Sequence, residues 1–374
     1  MLSTIEEHFS DIPDHRQQYK IRYPLHDILL TTIVGVICGA EGWEAIEEVG
    51  KNKLTLLKKY GDFSYGIPVH DTIARTISSI KPSLLQSCFI NWMKAAEIDT
   101  QGEIIAVDGK TVRRSYDTKE KRSAIHMVSA FAADNGVVLG QVKTDAKSNE
   151  ITAIPALLCK LDIKGAVVTI DAMGCQKKIA KQIIKQEADY VLAVKGNQGH
   201  LSEAIRDVFD IAHQEAFNQL SHQYTEEVDK GHGRVEQRRY WLTEDLSSIR
   251  DLTSKWSNLR SVGMVESVRY VGDEVSIERR YFISSLKEDT ELFAKAVRRH
   301  WHVENVLHWV LDVSFREDDS RIRRENAAEN MATTRHITLN MLRKETSCKK
   351  GIKAKRFKAA LDTDYAEKVM MTTF

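Results

Sequence analysis

The sequence predicts a mixed α/β fold in which helices flank a sheet, with a helical N-terminal segment and a β-rich insertion. Residues 1–98 show helical periodicity and no strand pattern. From residue 103 onward, short β-branched runs alternate with amphipathic helical segments, which is typical of helices packed on a sheet. Residues 217–289 contain strand patterns with alternating charge, which indicates a β-rich insertion.

The N-terminal segment, residues 1–98, is predicted to form a separate helical domain. Its apolar run at 28–40 is too short to span a bilayer and is interrupted by Thr and Gly, so it indicates a buried core helix. Helical spacing of Trp43, Ile46 and Val49 follows, and Pro82 opens another helix. We therefore expect no membrane partner for this chain.

Residues 99–216 are predicted to hold the first part of the sheet. The run 103–107 is a strand ending in Asp108, and Asn135-Gly136 joins the next two strand segments in a hairpin. The further predicted elements are a helix at 151–161, a strand at 166–170 that ends in Asp171, a helix at 176–188 and a strand at 189–195.

The remaining elements complete the predicted organisation. The insertion 217–289 contains three recognisable strands, and residues 290–345 complete the sheet-bearing domain with helices from about Leu292 to Val313 and from about Glu325 to Leu342. Residues 346–374 form a basic C-terminal tail. The basic cluster at its start has only one acid, Glu345, and consists of Arg343, Lys344, Lys349, Lys350, Lys353, Lys355, Arg356 and Lys358. This tail is predicted to bind a DNA backbone or, alternatively, to form a solvated helix face.

The overall composition indicates which partners and which cellular compartment to expect. The 374 residues include 54 basic and 53 acidic side chains, so the net charge of +1 does not by itself indicate a nucleic-acid partner. Five widely spaced cysteines form no CxxC pair, which argues against a disulfide scaffold and a cysteine-rich zinc site. The acidic N-terminus is no signal peptide, and a reducing cytoplasm is expected.

Asp108 and Asp171 share one sequence context, because each directly follows a β-branched apolar run. Side chains at the carboxyl ends of strands project into the crevice where ligands bind. If the two strands are neighbours, the carboxylates meet, and two close carboxylates repel unless a cation lies between them. Mg²⁺ is the cation that such a pair, with substrate phosphate, would hold. The alternative is that each aspartate is a turn residue or a helix cap.

Glu304 is the third candidate acid. It lies three residues from both Trp301 and Leu307 in an apolar helical stripe, so it is predicted on the buried side, where a carboxylate needs a partner or a metal. An interhelical salt bridge is the alternative. His300 and Glu304, four residues apart, could share a metal, but no third zinc ligand stands at close spacing. The nearby acids Glu317, Asp318 and Asp319 are predicted to form a solvated loop.

Basic residues near these acids are candidates for backbone contact with DNA, each with a solvated face or a salt bridge as the alternative. Gly196 after Lys195 would allow a close backbone approach. The candidates are Lys110, Arg113, Arg114, Lys195, His232, Arg234, Arg298, Arg299, His300, Lys353, Lys355 and Arg356.

Nearly the whole chain resembles a known family. The segments AVDGKTVRRS, KSNEITAIP, TIDAMGCQ, YVLAVKGNQG, HGRVEQRR and HWHVENVLHWVLDVSFREDDSRIRR occur in the expected order. They resemble the H-repeat-associated transposases of bacterial insertion sequences, which are DDE transposases with an RNase H-like catalytic domain. The resemblance implies that Asp108 and Asp171 are the two aspartates and Glu304 the glutamate. It also implies a β-rich segment between the second aspartate and the glutamate.

One departure from the broader family concerns the glutamate helix. Broader relatives carry a Tyr-Arg-Glu-Lys signature there, whereas this sequence has Val297, His300 and Leu311 at the Tyr, Arg and Lys positions. Only Glu304 is kept. Arg298, Arg299 and His300 are the local substitutes for the missing basic contacts.

The resemblance implies a metal-dependent polynucleotidyl transferase. Mg²⁺, with Mn²⁺ able to substitute, would be held by Asp108, Asp171 and Glu304 for cleavage at element ends and strand transfer of the 3′-hydroxyl. The partners would be double-stranded DNA, as terminal inverted repeats and target, and a second copy in a homodimer. A bacterial cytoplasmic protein, nucleoid-associated when bound, is expected. The rival hypotheses are a nuclease-like relative that cuts without integrating and a non-catalytic DNA-binding relic or repressor.

Overall fold

The computed structural model describes residues 4–118, 120–144, 150–231 and 233–372. The chain forms two compact units. Unit one comprises Met1–Ile98, Gly109–Lys147 and Glu304–Phe374, and unit two comprises Asp99–Asp108 and Ser148–Val303. The N-terminal helices therefore group with two later segments of the chain, instead of forming a compact unit by themselves.

Fifteen α-helices occur among the described residues, and ten of them, the first six and the last four, lie in unit one. The helices are α1 (Thr4–Phe9), α2 (Leu25–Ile37), α3 (Trp43–Asn52), α4 (Leu54–Leu57), α5 (His70–Ser79), α6 (Pro82–Ala95), α7 (Glu150–Leu158), α8 (Lys177–Lys185), α9 (Gly199–Gln214), α10 (Arg250–Thr253), α11 (Thr290–His300), α12 (Trp309–Phe315), α13 (Ala327–Lys344), α14 (Ile352–Leu361) and α15 (Thr363–Met370). No helix of the described ranges is both long and apolar enough to cross a bilayer.

The strands form one mixed sheet. They are β1 (Ile104–Thr111), β2 (His126–Ala132), β3 (Val137–Lys143), β4 (Val167–Ile170), β5 (Asp189–Val194), β6 (Gln223–Gly231), β7 (Arg234–Thr243), β8 (Ser261–Val271) and β9 (Glu274–Ser284). Their order is β3-β2-β1-β4-β5-β9-β8-β7-β6. The order of the first five strands, with helices between them, is the RNase H-like arrangement, so the predicted fold class is confirmed.

The hairpin predicted at Asn135-Gly136 is present. β2 and β3 are antiparallel, and the N–H of Gly136 donates to the carbonyl of Ala132 at 2.8 Å. Gly136 has a φ of +70°, a left-handed conformation that glycine adopts at little cost. The Asn135-Gly136 dipeptide thus determines this turn locally, as the sequence predicted.

The β-rich insertion extends the same sheet instead of forming a separate one. β9 pairs antiparallel with β5, and β8, β7 and β6 follow by antiparallel pairing. The sequence predicted three of these strands and missed β6, Gln223–Gly231. Eight of its nine residues are exposed and many are charged, so it lacks the apolar alternation that marks a half-buried strand.

Unit one is organised around α13, which is buried from Ala327 to Leu342. Two of its asparagines satisfy backbone groups of neighbouring elements. The amide of Asn330 donates to the carbonyls of Ile77 (2.8 Å) and Ile80 (3.0 Å), and Asn340 exchanges hydrogen bonds with the backbone of Val138 at 2.8 and 2.9 Å. These bonds fix α13 against the end of α5 and against β3.

The long helix predicted from Leu292 to Val313 is wrong in its interior. α11 ends at His300, a π-helix follows at Val303–His308, and α12 starts at Trp309. A π turn contains more residues than an α turn, so it rotates the side chains after it away from the α-helical stripe. Sequence periodicity assumes a constant 3.6-residue turn and does not anticipate this change.

Candidate active site

Asp108 and Asp171 lie just beyond the paired stretch of two adjacent strands. Asp171 directly follows β4, whereas β1 continues past Asp108 to Thr111, so the expectation that this strand ends at Asp108 is wrong. β1 and β4 are parallel, and Val107 and Ile170 are their last registered pair. Asp108 and Asp171 are the next residue in each chain segment, and both are half-buried. Because neighbouring strands lie about 4.8 Å apart, the backbones of the two aspartates are side by side at one edge of the sheet.

The carboxylate of Asp171 is oriented by the loop that follows it. Its Oδ1 atom accepts hydrogen bonds from the backbone N–H groups of Met173 (3.0 Å) and Gly174 (3.3 Å). It thereby caps the 3₁₀ turn Ala172–Gly174, which is the capping alternative that the sequence left open. Oδ2 accepts no hydrogen bond from the described residues. One oxygen is therefore held in place while the other stays available for a ligand.

Gly174 is required where it stands. A methyl group added at Gly174 would overlap the Cγ2 atom of Ile170 and lie 3.1 Å from Cδ1 of Ile154. The loop is also tied to the one after β5, because Asn197 donates to the carbonyl of Ala172 and Gln198 to that of Cys175, the latter at 3.0 Å. The position of Asp171 is thus determined by close packing and by two loops bonded together.

The two aspartates fit a hard divalent cation. Carboxylate oxygens are the protein ligands that Mg²⁺ uses, commonly one or two with substrate phosphate. Among the residues that the structure describes, no group of three or more His, Cys, Asp or Glu side chains is arranged to hold a metal ion.

Glu304 is the first residue of the third segment of unit one. It lies in the π-helix, and its side chain is exposed, whereas Val303 beside it is fully buried. The prediction that Glu304 faces the buried stripe is wrong, because Val303 and Leu307 are buried there and Glu304 is exposed. No ion pair joins Glu304 to another of the described residues, so the interhelical salt bridge is not formed among them.

The positions that carry basic contacts in broader relatives hold uncharged side chains here. Val297 and Leu311 are buried. His300 lies beside Thr169, with Nδ1 at 3.1 Å from the threonine hydroxyl. Burial, aided by the nearby positive charge of Arg280, lowers the pKa of His300 to about 4. The imidazole is neutral at pH 7, so the prediction that His300 contacts phosphate as a cation is not supported.

Lys110 occupies an ionic cluster inside unit one. Its ammonium lies 2.7 Å from Asp312, 3.0 Å from Asp318 and 3.9 Å from Glu317, and its side chain is 10% exposed. Glu317 is buried and also pairs with Arg335 at 3.3 Å. The expectation of a solvated acidic loop is therefore wrong for Glu317, whereas Asp319 is exposed. The prediction that Lys110 contacts the DNA backbone is also not supported, because three carboxylates already neutralise its ammonium group.

Two of the tail's predicted DNA contacts are buried. Lys355 donates to the carbonyl of Leu342 at 2.7 Å, and Arg356 donates to the carbonyl of Val36 at 3.0 Å and lies over the ring of Phe315. Both side chains serve the packing of α14 in unit one. Lys353, one turn earlier, is exposed, so it alone of these three presents its charge to solvent.

The other predicted basic contacts remain at the surface. Arg113 and Arg114 are exposed and lie 3.1 Å and 3.6 Å from Asp318 and Asp319. Lys195, at the end of β5, and Arg234, at the start of β7, are exposed as well. His232 lies outside the described residues.

Two partly exposed arginines of α11 have neighbours in unit two. Arg298 lies 3.7 Å from Glu227 and 3.9 Å from Asp229. Arg299 approaches the ring of His302 at 3.3 Å. Further along β7, Arg238 pairs with Glu236 at 2.6 Å.

The sequence predictions missed one set of exposed cations. Lys177, Lys178, Lys181 and Lys185 lie on α8, the helix that begins six residues after Asp171, and all four are exposed. The sequence contains the signal that could have identified them, because these lysines recur at helical spacing with no acid between them. Amphipathic periodicity by itself predicts only a polar helix face.

Comparison with known proteins gives two family matches. Residues 99–341 match the family described as "Transposase DDE domain", and residues 6–93 match "DDE_Tnp_1-associated". The chain is 48% identical over 373 residues to the "H repeat-associated putative transposase YhhI" of Escherichia coli strain K12. The alignment covers 99% of this chain and 98% of that protein. "Putative protein YbfL" of the same strain is also 48% identical, with the same coverage.

A solved structure of the piggyBac transposase synaptic complex with hairpin DNA also aligns with the chain. The alignment covers 98% of this chain and 77% of that chain, with 11% sequence identity and a TM-score of 0.45. The likeness is too distant to support a conclusion about site or substrate.

Proposed function

Because the chain belongs to the family of DDE-domain transposases, we propose that it cuts DNA at the ends of an insertion sequence and joins the freed 3′-hydroxyl to target DNA. The observation that carries the proposal is the register of β1 and β4, which sets Asp108 and Asp171 side by side at a carboxyl edge of the sheet. That edge is where α/β sheets bind their ligands.

The proposed metal ligands are Asp108, Asp171 and Glu304. The cation is Mg²⁺, with Mn²⁺ able to replace it. When bound, divalent ions supply an activated nucleophile and stabilise the leaving oxygen of a phosphodiester. The chain's own part is to present acceptor oxygens at fixed positions. Asp171 does so through its two backbone hydrogen bonds, and Glu304 through an exposed carboxylate without a buried partner.

The proposed partner is double-stranded DNA, both as terminal inverted repeats and as target. We assign repeat binding to the helices of residues 1–98, and backbone contact to the exposed Arg113, Arg114, Lys195 and Arg234. Arg298, Arg299 and Lys353 complete the proposed basic set. Because joining requires two element ends, the active form is proposed to be a homodimer on DNA.

The test is a cleavage and joining assay with the full chain. Duplexes carrying the two ends that flank its gene are incubated with a labelled target duplex and Mg²⁺, and the products are resolved by length. The variants Asp108→Asn, Asp171→Asn and Glu304→Gln keep side-chain size and remove charge. Glu203→Gln, an exposed acid on α9, is the matched control.

We expect cleaved and joined products from the wild type and the control, and none from the three variants. Cleavage that survives any of the three substitutions would refute that residue as a metal ligand. Cleaved ends without joined product would favour a nuclease-like relative. Binding without cleavage by the wild type would favour a non-catalytic relic.

A further inference from the structure

The exposed surface of α8 carries a row of lysines beside the candidate active site. The row is defined as Lys177, Lys181 and Lys185, with Lys178 next to it. Residues four apart lie on one helical face. The opposite face, with Ile179, Ala180 and Ile183, is buried against the sheet. The row is therefore an outward-facing positive stripe of unit two.

None of the α8 lysines forms an ion pair with any described residue, and α8 itself contains no acid. The first acid beyond it, Glu187, is already 2.8 Å from Lys164. Several of the basic side chains that the sequence selected differ in this respect. Lys110, Arg113 and Arg114 each face a carboxylate within 4 Å. The α8 row is thus a concentration of unneutralised positive charge.

Two effects make this arrangement unfavourable for the helix itself. Lysines four residues apart repel one another. Lys177 and Lys178 also occupy the first turn, where the positive end of the helix dipole disfavours cations. An ordinary solvated helix would carry acids at this end. An anionic ligand lying along the row would offset both costs.

The row also begins at a defined place relative to Asp171. The loop between them is held by the cap of Asp171, by Asn197 and by Gln198. The loop after β5, which contains the exposed Lys195, is hydrogen-bonded to the loop after β4. Asp171 therefore lies at an edge of unit two where Lys177 follows the first of these loops and Lys195 begins the second.

We propose that the lysine row of α8 is the surface along which the phosphodiester backbone of duplex DNA approaches Asp171. The proposal rests on the proposed function and names a DNA-contacting surface for it. The row spans about 12 Å from Lys177 to Lys185. Duplex DNA presents about seven phosphate charges over that length, more than enough for each lysine to meet one.

The test measures how the affinity for a mixed-sequence duplex of 30 base pairs depends on salt. Each lost phosphate contact lowers the slope of log K against log salt concentration by about 0.9. Lys177→Gln/Lys181→Gln should therefore lower the slope by about two, and adding Lys185→Gln should lower it by about one more. Replacing the same lysines by arginine should keep the slope.

The matched control is Lys255→Gln/Lys287→Gln. These two lysines are exposed and unpaired among the described residues. They lie before β8 and after β9, near the registered pair Ser261–Ser284. Ser284 also pairs with Val191, near the start of β5, so the controls lie at the opposite edge from Asp171. They change net charge equally and should leave the slope unchanged.

Stability is measured on the same proteins without DNA. Because the lysines oppose the helix dipole, the glutamine variants should unfold at the same or a slightly higher temperature than the wild type. Equal slopes in wild type and α8 variants would overturn the lysine-row proposal and leave the proposed function standing. A wild type that binds no duplex at low salt would overturn both.

Discussion

Asp108 and Asp171 lie one residue beyond Val107 and Ile170, the last registered pair of two neighbouring parallel strands. This register brings the two residues to neighbouring positions, where one divalent cation could bind both carboxylates.

The first prediction concerns metal binding by this pair. Replacing a chelator by Mg²⁺ should raise the thermal unfolding midpoint of the wild type, because an ion that binds only the folded state stabilises it. Asp108→Asn should show a smaller rise, since one of the proposed ligands has lost its charge. Scanning calorimetry of both proteins in both buffers measures this. An equal rise in the two proteins would contradict Asp108 as a metal ligand.

The second prediction concerns the loop that orients Asp171. Gly174→Ala should lower the free energy of unfolding by about 1–3 kcal/mol, because a methyl group there overlaps Ile170. It should also lower metal-dependent cleavage, since the Gly174 N–H donates to Asp171. Gly196→Ala is the control in the next loop, where an added Cβ would meet no atom within 4 Å. Equal effects of the two substitutions would contradict the packing argument.

The third prediction concerns Lys110. Lys110→Met removes the cation that Asp312, Glu317 and Asp318 share. Arg335 still pairs with Glu317 and Arg113 with Asp318, but Asp312 loses its 2.7 Å partner. The free energy of unfolding, measured in urea, should therefore fall by about 3–5 kcal/mol. Arg114→Met removes a half-exposed arginine 3.6 Å from Asp319 and should cost at most about 1 kcal/mol. A Lys110→Met protein of normal stability with weakened DNA binding would instead restore Lys110 as a DNA contact.

The fourth prediction concerns pH. The side chain of Lys51, the backbone N–H of His70 and the His70 ring lower the pKa of Glu47 from 4.5 to about 2. A depressed carboxyl pKa stabilises the fold above pH 4.5, and this contribution is lost as the pH falls toward 2. Glu47→Gln should therefore cost about 1–2 kcal/mol at pH 6.

The cost of Glu47→Gln should shrink when both proteins are compared at pH 3. Chemical denaturation at the two pH values measures it. Glu44→Gln, an exposed neighbour on the same helix, should show no such pH dependence. If the loss in free energy of unfolding caused by Glu47→Gln grew toward pH 3, this would contradict the lowered pKa of Glu47.

Local chemistry alone determined several features of this protein. Asn135-Gly136 predicted its hairpin, because a turn with positive φ needs only its own residues. The β-branched runs before Asp108 and Asp171 predicted two strands, of which β4 ends directly before its aspartate and β1 continues to Thr111. The family motifs predicted the class of enzyme. These signals lie within a few residues of one another, so a single sequence contains them.

Tertiary structure alone decided which distant residues meet. The pairing of Val107 with Ile170 joins segments more than sixty positions apart, and no local pattern specifies that register. The burial of Lys110 against Asp312 and of Arg356 against Phe315 converted predicted DNA contacts into packing. The π-helix exposed Glu304, and β9 paired with β5 to extend the sheet. Each outcome depends on long-range packing, which helical and strand periodicities do not encode.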